Sequence, residues 1–225
     1  MGALNRKAIL GIARLLVMLM AIIFLPVWTF NYWQGWVCLL AFFGPCIAIT
    51  VYVAKNDPAL LERRMKAGAS AEKEPAQKII QVVAFVAFLA VFVASVLDHR
   101  FGSSSVPVWV TIFGDILILA GFAMVFVVFK ANSYTSGIIE VAPGQKVIST
   151  GPYAVVRHPM YSGALLMLIG IPLALGSWWG ELANVFMTAA LAWRLLDEER
   201  FLTANLPGYR EYHKAVKYRL VPLVW

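Results

Sequence analysis

The sequence predicts an all-α fold, a polytopic transmembrane helical bundle with four full spans and a C-terminal helical hairpin. The 225 residues are 61% hydrophobic and 14% charged, with a mean hydropathy of +0.76. Average soluble domains contain roughly a quarter charged residues. Apolar windows of about 20 residues, long enough to cross about 30 Å of hydrocarbon, recur along the chain. Together these observations exclude a soluble globular class.

The predicted elements begin and end at polar or turn-forming segments. The first apolar stretch exceeds a signal-peptide core in length and is not followed by a small-residue cleavage site, so we expect a retained span. The segment from Gly176 to Gly180 contains two tryptophans and predicts a tight interfacial turn between two shorter helices. The elements are spans at 8–30, 33–54, 79–97 and 107–130, polar loops at 55–78 and 131–159, a hairpin at 160–196 and a tail at 197–225.

Lysine and arginine are distributed unevenly about these spans. Of 19 such residues, only Arg100 falls in a loop on the opposite side. Positive charge marks the cytoplasmic face, so we expect both termini and loops 55–78 and 131–159 to be cytoplasmic. The net charge of +7 follows from this asymmetry and from attraction to the lipid bilayer, and no nucleic acid partner is predicted. The lack of a targeting signal favours a prokaryotic inner membrane.

Cysteine and histidine do not predict a metal site. Cys38 and Cys46 lie eight residues apart on one predicted helix, about 12 Å along its axis, which is too far for a disulfide. His99, His158 and His213 are scattered, without the spacing of metal ligands. We therefore expect no metal and no metalloenzyme.

The first candidate cluster is GPYAVVRHPMYSG at 151–163. Pro159 favours the first position of a helix, and the free N–H groups behind such a start bind anions. Arg157 and His158 lie immediately outside that helix end. The cluster predicts a site for a carboxylate or phosphate, and a basic anchor at the interface is the alternative.

The second candidate cluster lies where the hairpin ends. Arg194 and Glu198 are four residues apart and share one helical face. Arg194 lies near the hydrocarbon boundary, where an ionisable residue indicates function, although an arginine that extends to the interface is the alternative. The hairpin brings Arg157 and His158 beside Glu198. The resulting pocket, cationic on one wall and anionic on the other, suits a zwitterionic ligand with an apolar body.

These residues resemble the isoprenylcysteine carboxyl methyltransferase and phospholipid methyltransferase superfamily of integral membrane methyltransferases. Its members share an R-H-P-x-Y-x-G motif and a downstream Glu-Glu pair. The chain carries the motif at 157–163 and the pair at 198–199. Tyr209, Tyr212 and Pro222 are similar to the C-terminal pattern, so the resemblance covers about residues 130–222.

The resemblance implies S-adenosyl-L-methionine-dependent methyl transfer at a cytoplasmic, membrane-level site, with S-adenosyl-L-homocysteine as product. It implies that residues 1–130 form the transmembrane spans with loop 55–78, and that 131–225 form the catalytic region. Arg194 occupies the place of the acceptor-side catalytic arginine. The implied cofactor-binding residues are Gln145, Lys146, Val147, Ile148, Tyr153, Arg157, His158, Pro159, Met160, Tyr161, Glu198 and Glu199.

The implied acceptor is lipophilic, a prenylcysteine-type carboxylate that Arg194 would orient through a bidentate fork. A phospholipid amine and a small thiol are alternative acceptors. A nicotinamide-dependent relative of sterol reductases and a non-catalytic membrane scaffold with a vestigial hairpin compete with the methyltransferase as hypotheses. Loop 55–78 is predicted to lie at the interface, with a lid over the site as its alternative role. Asp115 is predicted to be a buried hydrogen-bonding group.

Overall fold

A computed structural model describes residues 2–225; 71% of the chain is helical, and no segment within these residues forms a strand. Four helices are long and apolar enough to cross a membrane, which confirms the predicted helical bundle. The elements are α1 Ala3–Phe24, α2 Trp33–Asn56, α3 Pro58–Met65, α4 Pro75–Phe101, α5 Val108–Ala131, a 3-10 turn Gly151–Ala154, α6 Pro159–Ala174, α7 Trp179–Asn205 and α8 Tyr209–Ala215.

The first span and the first polar loop differ from the prediction. Helix α1 ends at Phe24 rather than Phe30, because Pro26 cannot donate the backbone hydrogen bond that would continue the helix. The loop contains the unpredicted helix α3, which begins at Pro58. The Asp57 side chain caps α3 by accepting a hydrogen bond from the Leu60 N–H at 2.9 Å, so an Asp-Pro start signal was present in the sequence.

The hairpin contains one short helix and one long one. Helix α6 has 16 residues, as predicted, but α7 has 27. Helix α7 continues past the apolar stretch because its polar residues are good helix formers and no proline occurs before Pro207. The turn of the hairpin reaches the far end of the bundle. There the Ser177 hydroxyl donates to Asp98 at 2.5 Å, and the Tyr32 hydroxyl donates to the Leu175 carbonyl at 2.6 Å.

Helices α5 and α6 approach each other through two pairs of glycines. Gly114 and Gly121 lie seven residues apart on α5, as do Gly163 and Gly170 on α6, so each pair lies on one helical face. A Cβ at Gly121 would lie 2.5 Å from the Gly163 carbonyl oxygen, and one at Gly170 would lie 2.6 Å from that of Gly114. Small residues allow helix backbones to pack closely in membranes. The close packing fixes the start of α6 against α5.

The two ends of the bundle have different chemistry. One end carries six exposed tryptophans: Trp28, Trp33, Trp36, Trp109, Trp178 and Trp179. The opposite end, here called the basic end, carries segments 57–74, 132–158 and 206–225. Asp115 is buried in α5 as predicted, but its Oδ1 has no hydrogen-bond partner within residues 2–225.

We expect Gly121→Ala to destabilise the protein by about 1–3 kcal/mol, the usual effect of overpacking. The new methyl group would press on the Gly163 carbonyl and on Met167, whose Cγ would lie 2.5 Å away. Thermal unfolding in detergent measures the effect. Gly44→Ala in α2 is the control, because a Cβ there meets no described atom within 4 Å. Equal thermal stability of the two variants would contradict the proposed close packing.

Candidate active site

A polar pocket at the basic end is enclosed by segment 132–153, the start of α6, the end of α7 and α8. It contains Arg194 and every residue predicted to bind the cofactor except Glu199. The predicted residues that line it are Gln145, Lys146, Val147, Ile148, Tyr153, Arg157, His158, Pro159, Met160, Tyr161, Arg194 and Glu198. Sequence reasoning missed further lining residues, among them Asn132, Tyr134, Thr135, Leu202 and Tyr209. The structure therefore brings the predicted set together, and the roles of its members stay predictions.

The two acids of the Glu-Glu pair face different surroundings. Consecutive residues of a helix point about 100° apart, so Glu198 lines the pocket whereas Glu199 lies behind it, buried. Arg157 Nε lies 2.6 Å and His158 Nε2 3.3 Å from one Glu199 oxygen. Arg219 Nε donates to the other oxygen at 3.0 Å. Glu199 thus holds the wall of the pocket together.

The side chain of Arg157 is buried in this wall and makes its hydrogen bonds there. Only 4% of Arg157 is exposed, and besides Glu199 it donates through one terminal nitrogen to the carbonyls of Val216 and Lys217, at 2.7 and 2.8 Å. The backbone N–H of Arg157 donates to the Tyr218 carbonyl at 2.9 Å. The charge of Arg157 is therefore neutralised by Glu199, and its guanidinium anchors the C-terminal tail beside the start of α6.

The pKa of Glu199 reflects these partners. Burial alone would raise this pKa, but hydrogen bonds from His158, Arg157 and Arg219 outweigh it, and the pKa lies well below its ordinary value of 4.5. Glu199 is therefore ionised throughout the physiological range. Elsewhere in the pocket, burial raises the pKa of Tyr153 to about 12, so this phenol stays protonated.

Tyr161 connects the two predicted residues of α7. Its hydroxyl donates to Glu198 Oε2 at 2.6 Å and accepts from Arg194 Nε at 3.2 Å. Arg194 and Glu198 share a helical face as predicted, yet no direct ion pair joins them within residues 2–225. Tyr161 lies between them instead.

The ion-pair partner of Arg194 is Glu72, which sequence reasoning missed. One terminal nitrogen of Arg194 donates to Glu72 Oε1 at 2.8 Å and to Gln77 Oε1 at 2.9 Å. The other donates to the Gly137 carbonyl at 3.3 Å. The Glu72 side chain is 0% exposed. No local pattern distinguishes Glu72 from the exposed Glu74, because its burial depends on contacts that are distant in the sequence.

Loop 55–78 is docked over the region where Arg194 lies. Arg63 Nε donates to the Ser133 carbonyl at 2.9 Å, and Arg64 donates to the Ser136 carbonyl at 2.6 Å. The Ile139 N–H donates to Glu72 Oε2 at 3.2 Å. These contacts hold loop 55–78 against segment 132–153.

An apolar cleft of about 700 Å³ adjoins the polar pocket. Helices α1 to α7 all contribute to it. Its apolar lining includes Ile12, Phe42, Phe88, Phe122, Leu168 and Leu191. Four residues line both spaces: Ser136, Met160, Tyr161 and Arg194. The polar pocket and the apolar cleft therefore meet at Tyr161 and Arg194.

Two hydroxyls of the polar pocket have no hydrogen-bond partner in the described part of the chain. Thr135 Oγ1 and the Tyr209 hydroxyl are buried, and both residues line this pocket. An unsatisfied buried polar group costs about 1–3 kcal/mol, so native structures usually provide it with a partner. Both hydroxyls thus keep an unused capacity for a hydrogen bond.

The fold and these two adjoining spaces define an integral membrane protein with a polar ligand pocket open to a lipid-sized apolar cleft. Residues 109–207 match the family model PEMT, described as Phospholipid methyltransferase. This family belongs to the superfamily of integral membrane methyltransferases, so the predicted resemblance is confirmed. The matched region includes α6, α7, nearly all of α5, and the loop between α5 and α6. It supports methyltransferase-type activity.

A second comparison gives a more distant similarity. The chain is 32% identical over 90 residues to the Delta(14)-sterol reductase TM7SF2 of Mus musculus. The aligned segment covers 39% of this chain and 22% of that protein. The chain thus spans about a fifth of the length of this relative.

We expect Glu199→Gln to lower the free energy of unfolding by about 3 kcal/mol or more at neutral pH, because it leaves Arg157 buried without its counter-ion. The pKa of Glu199 is lowered on folding, so the stabilisation is present above the unfolded value of 4.5 and is lost as the pH falls below it. The stability difference between the native protein and the variant should be constant from pH 8 to about pH 5 and should shrink under more acidic conditions.

Thermal unfolding across this pH range measures the difference. Glu211→Gln, which removes an exposed carboxylate, is the matched control and should change stability by at most about 0.5 kcal/mol. A Glu199→Gln variant as stable as this control would contradict the structural role of Glu199.

Proposed function

We propose that this protein is an S-adenosyl-L-methionine-dependent methyltransferase for a lipophilic acceptor, acting at the basic end. The observation that carries the proposal is the meeting of the polar pocket and the apolar cleft at Tyr161 and Arg194. A water-soluble methyl donor can reach this point from the aqueous side, and a lipid-anchored acceptor can reach it from the bilayer. The match of residues 109–207 to the phospholipid methyltransferase family supports the same chemistry.

The pocket residues fit the groups of this cofactor. Glu198 is suited to the ammonium or the ribose hydroxyls, because its carboxylate faces the pocket. His158 and the first N–H groups of α6 are suited to the carboxylate. The unpartnered hydroxyls of Thr135 and Tyr209 can bond to polar edges of the ligand. Segment 145–148 and Tyr153 provide further contacts, while Arg157 and Glu199 hold His158 in place.

The chain's own residues have mainly to position and enclose the reactants. When bound, the sulfonium of the cofactor supplies an already activated methyl group. Tyr161 and Met160 lie at the junction, where they can align an acceptor atom with that group. Loop 55–78 covers this region and excludes water. In this proposal, the protein catalyses methyl transfer by aligning the acceptor with the methyl group and by excluding water.

The acceptor that the sequence predicts is a prenylcysteine-type carboxylate. Such a group is ionised at neutral pH, needs no general base, and would be oriented by Arg194. A phospholipid amine or a small thiol is the second candidate. One observation favours this second candidate: Arg194 is already paired with Glu72, so it has less capacity to orient an acceptor carboxylate. A methylated product that is labile to base identifies an ester and hence a carboxylate acceptor, whereas methylated amines and thioethers are stable to base.

The proposal places the basic end in the cytoplasm, with both termini on that side, as the positive charge of its loops favours. S-adenosyl-L-methionine is then available at the pocket. The four spans of 1–130 serve mainly as membrane anchor and cleft wall, and 131–225 hold the cofactor. A prokaryotic inner membrane is the proposed location.

The purified protein is expected to bind S-adenosyl-L-homocysteine, and Glu198→Gln should weaken binding by about 1.5–3 kcal/mol, the value of a hydrogen bond to a charged group. Isothermal calorimetry in detergent measures both. Glu211→Gln, outside the pocket, should bind normally. Absence of binding to the native protein would favour the membrane scaffold, and unchanged binding to Glu198→Gln would contradict the assignment of this residue.

Tyr209→Phe gives an independent test of the pocket. Because the Tyr209 hydroxyl is buried without a partner, its removal should leave the ligand-free protein equally stable or more stable. The same change should weaken S-adenosyl-L-homocysteine binding by about 1 kcal/mol if the hydroxyl bonds to the ligand. Thermal unfolding and calorimetry measure the two effects. A variant that loses stability but keeps its affinity would show that the hydroxyl serves the fold alone.

A further inference from the structure

We propose that Glu72 is a specificity-determining residue of the acceptor site: it occupies Arg194 and thereby disfavours an anionic methyl acceptor. The inference rests on the proposed function to the extent that the apolar cleft takes the acceptor. Glu72 belongs to the segment between α3 and α4, outside the region that matches the methyltransferase family. It therefore lies outside the matched region but contacts a residue within it.

The guanidinium of Arg194 has little remaining capacity for a carboxylate. An arginine side chain has five N–H groups, one on Nε and two on each terminal nitrogen. Nε donates to Tyr161, one terminal nitrogen donates to both Glu72 and Gln77, and the other donates to the Gly137 carbonyl. One N–H group remains. A bidentate fork needs two adjacent N–H groups, so an acceptor carboxylate would have to displace a present partner.

Glu72 is not easily displaced. Its oxygens accept from Arg194 at 2.8 Å, from Gln81 Nε2 at 3.2 Å and from the Ile139 N–H at 3.2 Å. The side chain is fully buried, so moving it away from Arg194 would leave an uncompensated charge in the interior. An acceptor carboxylate that entered beside Glu72 would also be repelled by its negative charge. The ion pair therefore persists while the acceptor enters.

The charges at the junction add up to zero. The cations are Arg64 and Arg194, and the anions are Glu72 and Glu198, all in or beside the two spaces. Glu140, which accepts from Ser136, is paired with Lys66 and adds no net charge. Arg64 donates to the Ser136 carbonyl at 2.6 Å and lies over the Phe129 ring. An acceptor whose head is uncharged enters this junction without adding a net charge, whereas an anionic head would leave one net negative charge there. Replacing Glu72 with Gln keeps its shape but gives the junction one net positive charge, which an anionic head would neutralise.

The test compares two lipid probes that differ in one group: an N-acylated S-prenyl cysteine and its carboxamide. Direct binding to the native protein in detergent is measured by calorimetry, without methyl transfer. We expect the native protein to bind the carboxamide at least about tenfold more tightly than the carboxylate, since about 1.4 kcal/mol corresponds to a factor of ten. Equal affinities, or tighter binding of the carboxylate, would overturn the proposal without any variant.

Glu72→Gln should reverse this preference. Its affinity for the carboxylate should rise about tenfold or more, while that for the carboxamide changes little. Glu74→Gln removes the same charge from an exposed position two residues away and should keep the native preference. A Glu72→Gln variant that keeps the native preference would overturn the proposal, as would native protein that binds neither probe. If the Glu72→Gln variant does not fold, the relative affinities of the native protein for the two probes test the proposal alone.

S-adenosyl-L-homocysteine binding, measured on the same preparations, separates this proposal from the general function. Native protein that discriminates between the probes but does not bind S-adenosyl-L-homocysteine would refute the methyltransferase and support the role of Glu72. Native protein that binds S-adenosyl-L-homocysteine but does not discriminate between the probes would support the methyltransferase and refute the role of Glu72.

Discussion

The geometry of the polar pocket depends on the buried carboxylate of Glu199. One oxygen faces Arg157 and His158 at the start of α6, and the other faces Arg219 in the C-terminal tail. Three segments that are far apart in the sequence therefore meet at one group. A buried arginine without a counter-ion would be strongly unfavourable. The ion pair with Glu199 thus offsets the cost of burying Arg157 and also determines where the pocket wall lies.

Charge compensation makes the pocket less cationic than its sequence indicates. Arg157 is neutralised by Glu199 and Arg194 by Glu72, so neither arginine offers a free charge to a ligand. Glu198 instead keeps an oxygen at the pocket surface. Under the proposed function, recognition depends on this carboxylate, on the start of α6 and on hydroxyls such as that of Tyr209. These are directional groups, which select a ligand by shape as much as by charge.

The sequence predicted what local pattern determines. Long apolar windows predicted the spans, and the family resemblance carried by the R-H-P motif and the Glu-Glu pair predicted which residues gather in the pocket. It did not predict Glu72, because the contact between Glu72 and Arg194 joins positions 122 residues apart. Local pattern also cannot distinguish the orientations of Glu198 and Glu199. The seven-residue spacing of Gly114 and Gly121 was visible, but it gains meaning only from the matching pair on α6.

Tyr161 couples the pocket to the cleft through two hydrogen bonds. Its hydroxyl donates to Glu198 and accepts from Arg194, so a ligand group that binds Glu198 shares this carboxylate with the phenol. Sharing weakens the polarisation of the Tyr161 hydroxyl, and with it the hydrogen bond from Arg194. Tyr161 and Arg194 also line the cleft. Under the proposed function, the cofactor site and the acceptor site therefore share one chain of hydrogen bonds, from Arg194 through Tyr161 to Glu198.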